Sequence, residues 1–555
     1  MDTILTALMW LDSLLGGSLY FPWLLLGIGL FFSFYLDFPQ FRWFAAAWRL
    51  FHQQRQQRLR AGETTPWQAF ATALSGTIGT GNISGVALAI HLGGSGAVFW
   101  MWLTAFLGMV LKYVEVMLSH RYREVTPDGI RRGGPMYVLS RRLNRPGLAA
   151  WFAFAVLLSA FGIGSMPQSN MISHSLWQSW QWPPAWVGCA FTLLLALVIL
   201  GGVQRIAKVT VALVPLMAML YIFASLSVLV MHWTVLPQVV WQIVTDALTG
   251  SAAQGGFLGA GMAYGFNRGI NRGLFSNEAG SGTSAIIHAT TTTEEPVAEG
   301  LMAMLEPFID TLIICTLTAL VVLSTQVWYQ KQPNTFEHAD VLFVEGHFDD
   351  RVPADITALQ AFLSQRPGNI RLYDGLIDVI DGHPMSSNFT ILAARSVAES
   401  VVFLTLDNTL FSGVMTIKKG HLVTPDIKMQ GRSLLHSTGL TLKAFQQGYW
   451  GQGGQWMVIV SLVLFAFSTS ISWAFYGDQA VLYLWGERAL MPYRWIYIFS
   501  FLGATVMDTT LIWHIGGICV VLMTLPNLYA MWALRREVQL MKLDYTSTEE
   551  KDRNL

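Results

Sequence analysis

The sequence predicts an all-α polytopic membrane protein of about eleven helices, with a small extracytoplasmic α+β insertion. Three observations point there. Of 555 residues, 53% are apolar and 12% charged, and mean hydropathy is +0.45; a dissolved domain carries about 25% charge. Eleven apolar runs approach the roughly 20 residues a helix needs to cross a bilayer. One polar stretch, 330–447, interrupts the series. A soluble enzyme and a disordered chain are excluded by composition. Lys plus Arg and Asp plus Glu both number 34, so the net charge is zero and speaks against nucleic acid as a partner. Cys189, Cys315 and Cys519 lie far apart in apolar runs without a CxxC pair, which excludes a disulfide framework or a zinc ribbon.

The runs are 20–38, 67–91, 95–120, 148–177, 185–203, 208–231, 252–275, 296–327, 455–484, 493–510 and 511–534. None alternates with period two, and their length favours helices. Residues 1–17 hold Asp2 and Asp12 but no basic residue. The positive n-region of a signal peptide is missing, so 1–38 is expected to stay as a peripheral transmembrane helix. Lys and Arg set the orientation. Arg42, Arg49, Arg55, Arg58 and Arg60 follow the first run, and Arg121, Arg123, Arg131, Arg132, Arg141, Arg142 and Arg145 the third. Arg205 and Lys208 follow the fifth, Arg268 and Arg272 close the seventh, and Arg488 and Arg494 join the ninth to the tenth. Arg535, Arg536 and Lys542 follow the eleventh, while 92–94, 181–184 and 231–238 carry none. The expected topology has the N-terminus outside, the C-terminus inside and 537–555 as a cytoplasmic tail.

The polar stretch 330–447 carries Asp349, Asp350, Asp374, Asp378 and Asp381, and turn dipeptides at Pro367-Gly368 and Asp407-Asn408. Val401 to Lys418 reads as a hairpin around Asp407-Asn408, and 356–363 as a short helix. A structureless loop this long is unusual, so a small α+β domain is expected, outside the membrane by the charge rule. Its histidines are scattered without ligand spacing, and the expectation is a lid or a surface for a partner over 335–437.

Two apolar runs are broken by polar and glycine residues. The first break is Ser75-Gly76-Thr77-Ile78-Gly79-Thr80-Gly81-Asn82-Ile83-Ser84-Gly85. The second is 255–261 through Gly265, followed by Ser276-Asn277-Glu278-Ala279-Gly280-Ser281-Gly282. Close helix packing through small residues needs no interleaved Thr, Asn and Ser. Lipid offers free N–H and C=O groups no partners, so such breaks line a protein cavity. Half-helix N-termini suit a carboxylate, and unwound carbonyls suit Na⁺. The broken runs are five apart. With the first helix peripheral, 67–231 forms one five-helix repeat. Residues 252–327 with 455–536 form a second, inverted one, an arrangement that points to a transporter.

The sequence resembles the alanine or glycine:cation symporters of the amino acid–polyamine–cation superfamily. The resemblance rests on Gly79-Thr80-Gly81-Asn82-Ile83-Ser84-Gly85-Val86-Ala87, Gly94 to Trp102, Gly133-Gly134-Pro135-Met136-Tyr137 and Gln168-Ser169-Asn170. It rests further on Arg272 to Gly282, His288-Ala289, Pro296, Phe465-Ala466-Phe467-Ser468-Thr469 and Tyr476-Gly477. It spans nearly all of the membrane region but not 335–437, and resumes at Gly439-Leu440-Thr441; Asp478 stands where the family usually has Glu. The resemblance implies uptake of small neutral amino acids such as alanine and glycine across a bacterial inner membrane. Na⁺ would be the coupling ion, with H⁺ the alternative, and there is no cofactor. By position it implies that Thr80, Gly81, Asn82, Gln168, Gly265 and Phe266 meet the substrate. Gly76, Thr77, Gly79, Ser468 and Thr469 would meet the cation, and Arg272, Asn277 and Glu278 would form a gate or a structural element.

Several residues carry two readings. Glu278 is either a cation ligand or a gate paired with Arg272. Lys112 and Glu115, three apart, read as a structural pair on one helix face. Glu306 and Asp310 are intramembrane carboxylates and functional candidates by type; no dedicated basic partner is evident, and a proton path is the other reading. His288 reads as a loop residue, and Asp508 as solvated near the outer face. A membrane enzyme would need a nucleophile with its base, HExxH or a phosphate loop. A channel would need repeated pore loops or charged rings. A sensor with an external ligand domain would need a cytoplasmic signalling domain, where about 20 residues follow Arg535. Symport is the reading kept, with the sensor, or a carrier of another small zwitterion, as the alternative.

Overall fold

Backbone groups in apolar surroundings must pair within their own segment, and the apolar runs accordingly form helices. The computed structural model describes residues 11, 14, 15, 20–54, 64–127, 129–364, 368–385, 388–507 and 509–554. Asp2, Asp12, Arg55, Arg58, Arg60, Pro367 and Asp508 lie outside the described residues. The helical body begins with α1 (Tyr20–Tyr35), α2 (Pro66–Thr77), α3 (Val86–Gly93) and α4 (Gly96–Arg121). It continues with α5 (Pro146–Trp180), α6 (Pro184–Ile199), α7 (Gly202–Met231), α8 (Leu236–Thr249), α9 (Met262–Asn277) and α10 (Thr283–His288). After α11 (Pro296–Ser324) the chain leaves for the insertion. Among the described residues six helices are long and apolar enough to cross a membrane. The pair 66–77 and 81–93, bent by 49°, makes a seventh, and α1 and α6 are shorter apolar helices.

Caps explain where helices start. Thr65 and Gln68 form a reciprocal capping box before Pro66, with both bonds between 2.9 and 3.0 Å. Pro296 opens α11, with the Glu295 carboxylate accepting from the Val297 N–H.

The seventh run departs from expectation. Residues 251–261 are not helical: Ser251 bridges Ala260 and Gln254 bridges Phe257, so the glycine run folds as a tight loop. Gly255 and Gly259 have φ of 56° and 87°, which glycine adopts without strain. Helix α9 starts only at Met262 and ends at Asn277, with Glu278 in the left-handed region (φ 52°) and Gly280 and Gly282 also at positive φ. The break therefore lies at 278–282, not in 255–265. Helix α8, an amphipathic element before the loop, was not foreseen.

The insertion is α+β in content. Its helix is α12 (Pro353–Leu363), and its strands are β1 (Gln332–Phe336), β2 (Val341–Glu345), β3 (Gly375–Ile380), β4 (His383–Pro384) and β5 (Phe389–Ala393). Strands β6 (Ser396–Val397), β7 (Glu399–Thr405), β8 (Gly413–Lys418), β9 (His421–Leu422) and β10 (Ile427–Ser433) complete it. They form three sheets, ordered β9-β8-β3-β4, β1-β10-β7 and β2-β5-β6. The hairpin expected over 401–418 is corrected. Asp407-Asn408 does turn the chain, with Asn408 at φ 62°. Beyond the Leu404–Leu410 bridge, however, β7 pairs β10 while β8 pairs β3. Phe343, Ile377, Phe403, Met415 and Met429 are fully buried between the sheets, and that shared core holds the two strands apart. The chain enters and leaves the lobe side by side, with Gln332 opposite Ser433. Leu258, from the glycine loop, packs with Val344, Leu359 and Leu392, joining the lobe to the helical body.

Helix α13 (Ser437–Gln446) packs on the helical body, where Thr441 donates to the Ile83 carbonyl at 3.1 Å. Then come α14 (Gln452–Trp485), α15 (Leu490–Ala504), α16 (Thr509–Ala533) and α17 (Arg535–Asn554). Asp478 on α14 is held by a buried bidentate contact from Arg494 on α15, the shortest 2.7 Å. The stretch expected as a cytoplasmic tail over 537–555 lies within the helix α17 as far as Asn554. Lys542 donates to the Leu36 carbonyl and the Asp37 carboxylate, both at 2.7 Å, and Glu537 takes bonds from Tyr122 and Arg142.

Candidate functional site

The site is built where α2 stops. Helix α2 ends at Thr77 because Gly76 and Gly79 weaken it and because its carbonyls find partners on α14. Thr469 Oγ1 donates to the Ser75 carbonyl at 3.1 Å and the Ile78 carbonyl at 3.2 Å. Ser75 Oγ donates to the Ser468 carbonyl at 2.9 Å, and Ser472 Oγ to the Thr72 carbonyl at 2.9 Å. Three oxygens thus converge at the end of α2: the Thr469 hydroxyl and the Ser75 and Ile78 carbonyls. The glycines permit the approach. A Cβ on Gly79 would lie 2.7 Å from Thr469 Oγ1, and one on Gly76 3.0 Å from the Tyr476 hydroxyl.

Beyond the break the chain resumes as a wide-turn segment, Gly81–Gly85, continuous with α3. Asn82 anchors it. Its Oδ1 accepts from the Gly79 N–H at 2.9 Å, and its Nδ2 donates to Asp310 Oδ1 at 2.6 Å and the Asp310 carbonyl at 3.2 Å. Asp310 Oδ2 accepts from Ser276 Oγ at 2.8 Å and Thr311 Oγ1 at 2.7 Å. Asp310 therefore ties the break in α2–α3 to the last turn of α9. Gly81 lies against Phe275 and Ser276, where a Cβ would stand 3.4 Å from the ring. The two breaks meet there. Among the described residues, the Thr80 and Tyr476 hydroxyls and the Gln168 side-chain carbonyl are buried without a hydrogen-bond partner.

The residues singled out from the sequence divide. Gly76, Gly79, Thr80, Gly81, Asn82 and Thr469 gather at the first break. Thr77 is buried beside them with its hydroxyl on the Leu74 carbonyl at 3.2 Å. Ser468 contributes its carbonyl to Ser75, while its hydroxyl is spent on Phe465 O at 3.0 Å and Met217 Sδ at 3.3 Å. Gln168 lies just past a wide turn of α5, its amide donating to the Ile163 carbonyl at 3.1 Å. Gly265 and Phe266 are placed elsewhere. They occupy the first turn of α9, about 11 residues or ~16 Å from the break at 1.5 Å per residue. Gly265 abuts the Gly93 carbonyl, and the Phe266 ring lies 4.5 Å from Trp23 and 4.8 Å from Trp100.

The gate group also differs from expectation. Glu278 does not turn to Arg272; it accepts from Thr283 Oγ1 at 2.7 Å and Trp473 Nε1 at 3.1 Å. The Arg272 guanidinium lies over the Phe275 ring at 5.9 Å. Asn277 Oδ1 accepts from the Ala279 N–H at 3.0 Å and shapes the break. Glu306 has the basic partners the sequence did not reveal: Lys112 Nζ at 3.4 Å and His288 Nε2 at 2.7 Å. His288 is no loop residue but fully buried, its Nδ1 2.7 Å from Glu299. Lys112 and Glu115 are 3.8 Å apart inside that same cluster, not an isolated pair. No local spacing signals this set, since its members come from α4, α10 and α11 and meet only through packing. No group of three or more His, Cys, Asp or Glu among the described residues is arranged to hold a metal ion.

Comparison with known proteins adds the following. A family model described as the sodium:alanine symporter family matches residues 1–351 and 409–555. The stretch outside the match is thus 352–408, narrower than the expected 335–437. An uncharacterized transporter of Haemophilus influenzae is 32% identical over 547 residues, 98% of this chain and 96% of that protein. A sodium/alanine symporter of Methanococcus maripaludis is 31% identical over 516 residues, covering 92% of this chain and 90% of that one. A manganese transporter of Eremococcus coleocola aligns in structure over 89% of this chain and 94% of its own, with a TM-score of 0.41 and 11% identity.

Proposed function

Since the chain belongs to the sodium:alanine symporter family, whose members are transporters and not enzymes, we propose that it carries small neutral amino acids, alanine and glycine first, into the cell by Na⁺-coupled alternating access. The observation that carries this reading is the oxygen cluster at the end of α2. Thr469 Oγ1 lies 3.1 and 3.2 Å from two main-chain carbonyls freed by the break. Hard oxygen donors of this kind suit Na⁺. The N–H groups at the start of the Gly81–Gly93 segment, with the Thr80 hydroxyl, would take the substrate carboxylate. Asn82 and Asp310 would hold that segment against α9. Cation and substrate then share one break, so filling the first position orders the second.

The membrane arrangement belongs to the same reading. Eleven spans place the N-terminus outside, the C-terminus in the cytoplasm and the β-rich lobe outside the inner membrane. Spans two to six and seven to eleven act as inverted five-helix repeats, with α1 peripheral. A cysteine introduced by Asp349→Cys should react with an impermeant maleimide in intact spheroplasts; labelling only after lysis overturns this orientation.

The function is tested in proteoliposomes with labelled alanine. An inward sodium gradient should drive accumulation, and unlabelled glycine should compete while leucine competes poorly. Uptake that ignores sodium and follows only a pH gradient rejects Na⁺ coupling. Strong competition by leucine at equal concentration rejects the substrate class.

A further inference from the structure

His288, at the end of α10, sits between two carboxylates. Its Nδ1 is 2.7 Å from Glu299 Oε1 and its Nε2 is 2.7 Å from Glu306 Oε1. All three side chains are fully buried. A neutral imidazole has one N–H and an ionised carboxylate has none. Two nitrogen–oxygen contacts at hydrogen-bond distance need two hydrogens between them. The triad therefore carries one proton more than a neutral histidine with two carboxylates, wherever along the three groups it rests.

The surroundings bear on that proton from every packed element. From α4 come Lys112, 3.4 Å from Glu306 Oε2, and Glu115, which accepts from the Gly282 N–H at 3.1 Å and Asn527 Nδ2 at 2.8 Å. Further along are His120 and Arg123, the latter donating to His120 Nε2 and to the Thr291 carbonyl. Glu278, Asp310 and Tyr476 lie in electrostatic reach of the same cluster. Ser284 Oγ donates to Glu306 Oε2 at 2.6 Å and is itself bonded to Lys112. With the extra proton, His288 joins Lys112 and Arg123 in facing the carboxylates of Glu115, Glu299 and Glu306; without it, Lys112 and Arg123 are left. Glu299 Oε2 is buried with no partner among the described residues, so a bare charge there is poorly satisfied.

We propose that Glu299, His288 and Glu306 form a proton-binding site, separate from the substrate and cation site, whose proton latches α10 to α11. Helix α10 follows the break at 278–282. Loss of the proton leaves one N–H for two carboxylates, breaks one of the two bonds and frees α10 to move. Movement of α10 expels the proton by the same linkage. The transport consequence rests on the symport reading; the proton itself does not.

Glu299→Gln gives the decisive comparison, because its amide can donate to His288 Nδ1 while His288 donates to Glu306. Both contacts are then filled without the extra proton. The wild type, purified in detergent, should melt progressively lower as pH rises through the triad's titration, and Glu299→Gln should flatten that profile. In proteoliposomes wild-type turnover should change by about tenfold per pH unit over the same range. Glu299→Gln should be flat, with the alanine KM within about twofold of wild type. Infrared difference spectra of wild type, with ring-labelled histidine to mark the imidazole bands, between about pH 5 and pH 10, should show one buried histidine or carboxylic acid titrating with the melting curve. That spectrum decides the matter if the variant does not fold. Identical pH profiles in wild type and Glu299→Gln, or no titration of a buried histidine or carboxylic acid, overturn the proposal. A wild type that does not carry alanine at any pH, with the variant still flattening the melting profile, sinks the symport reading and leaves the proton site standing.

Discussion

Replacing Gly79 by alanine strikes the oxygen cluster without removing any of its atoms. A Cβ built on Gly79 stands 2.7 Å from Thr469 Oγ1 and 3.5 Å from Thr469 Cβ and Cγ2, where ordinary contact begins near 3.4 Å. Thr469 is buried and tied to two carbonyls, so it yields only by giving up one bond or by a backbone shift. Overpacking of this kind costs about 1–3 kcal/mol. If the cost falls on the arrangement that holds the cation, half-saturating sodium rises by roughly 5- to 150-fold, at about 1.4 kcal/mol per factor of ten. Gly85→Ala is the control: it lies in the same segment, and its Cβ meets nothing within 4 Å. Its sodium dependence should stay within about twofold. The assay is initial uptake of labelled alanine in proteoliposomes at saturating alanine, over a sodium series. Thr469→Ala should also raise half-saturating sodium, and the double variant should fall well short of the sum, since both act on one contact. A Gly79→Ala protein with wild-type sodium dependence refutes the reasoning, as does equal damage from Gly85→Ala.

Asp310→Asn keeps the shape but sets an amide against donors that now meet a carboxylate. Loss of one or two of the bonds from Asn82, Ser276 and Thr311 costs about 1.5–3 kcal/mol each, and alanine uptake should fall at least tenfold while the protein stays monodisperse. His436, just before α13, is drawn down by burial. The hydrogen bond and charge of Asp340, 2.9 Å away, outweigh that and hold the imidazole above its ordinary value. Its contribution is present below about pH 6.5 and lost as pH rises through the raised value. Because the pair is partly exposed, the effect is below about 1 kcal/mol. After correction for the base-catalysed intrinsic rate, hydrogen-exchange protection in β2 and α13 should fall at alkaline pH in wild type and not in His436→Gln. Replacing 333–432 by two glycines joins residues already opposed in β1 and β10. The cut protein should insert and transport but melt lower, because Leu258 loses its partners at about 1.5–3 kcal/mol. A folded deletion protein that binds no alanine would make the lobe part of the site.

What was legible in the sequence was legible for physical reasons. Glycine and hydroxyl residues interrupting an apolar run have few uses in lipid, so the break at 75–85 could be read directly, while its partners on α14 followed only from the family resemblance. The second break was misplaced because both glycine stretches around Phe257 and Gly280 look alike in composition. Only the bridges closing 251–261 show that the first is a loop before α9. His288 reads as a loop residue in sequence because its partners, Glu299 and Glu306, stand on another helix, and periodicity within one helix does not reveal a pairing across two. The false hairpin at 401–418 had a true turn; sheet assignment beyond it depends on the lobe's shared core, which local pattern does not encode.

The bond from Lys542 to Asp37 joins residues 505 positions apart. At about 5–20 residues per second, a ribosome reaches Lys542 roughly 25–100 s after Asp37. Until then the Leu36 carbonyl just past α1 lacks this partner. A helix made late therefore closes one made early, so this contact forms across the molecule in time as well as in space.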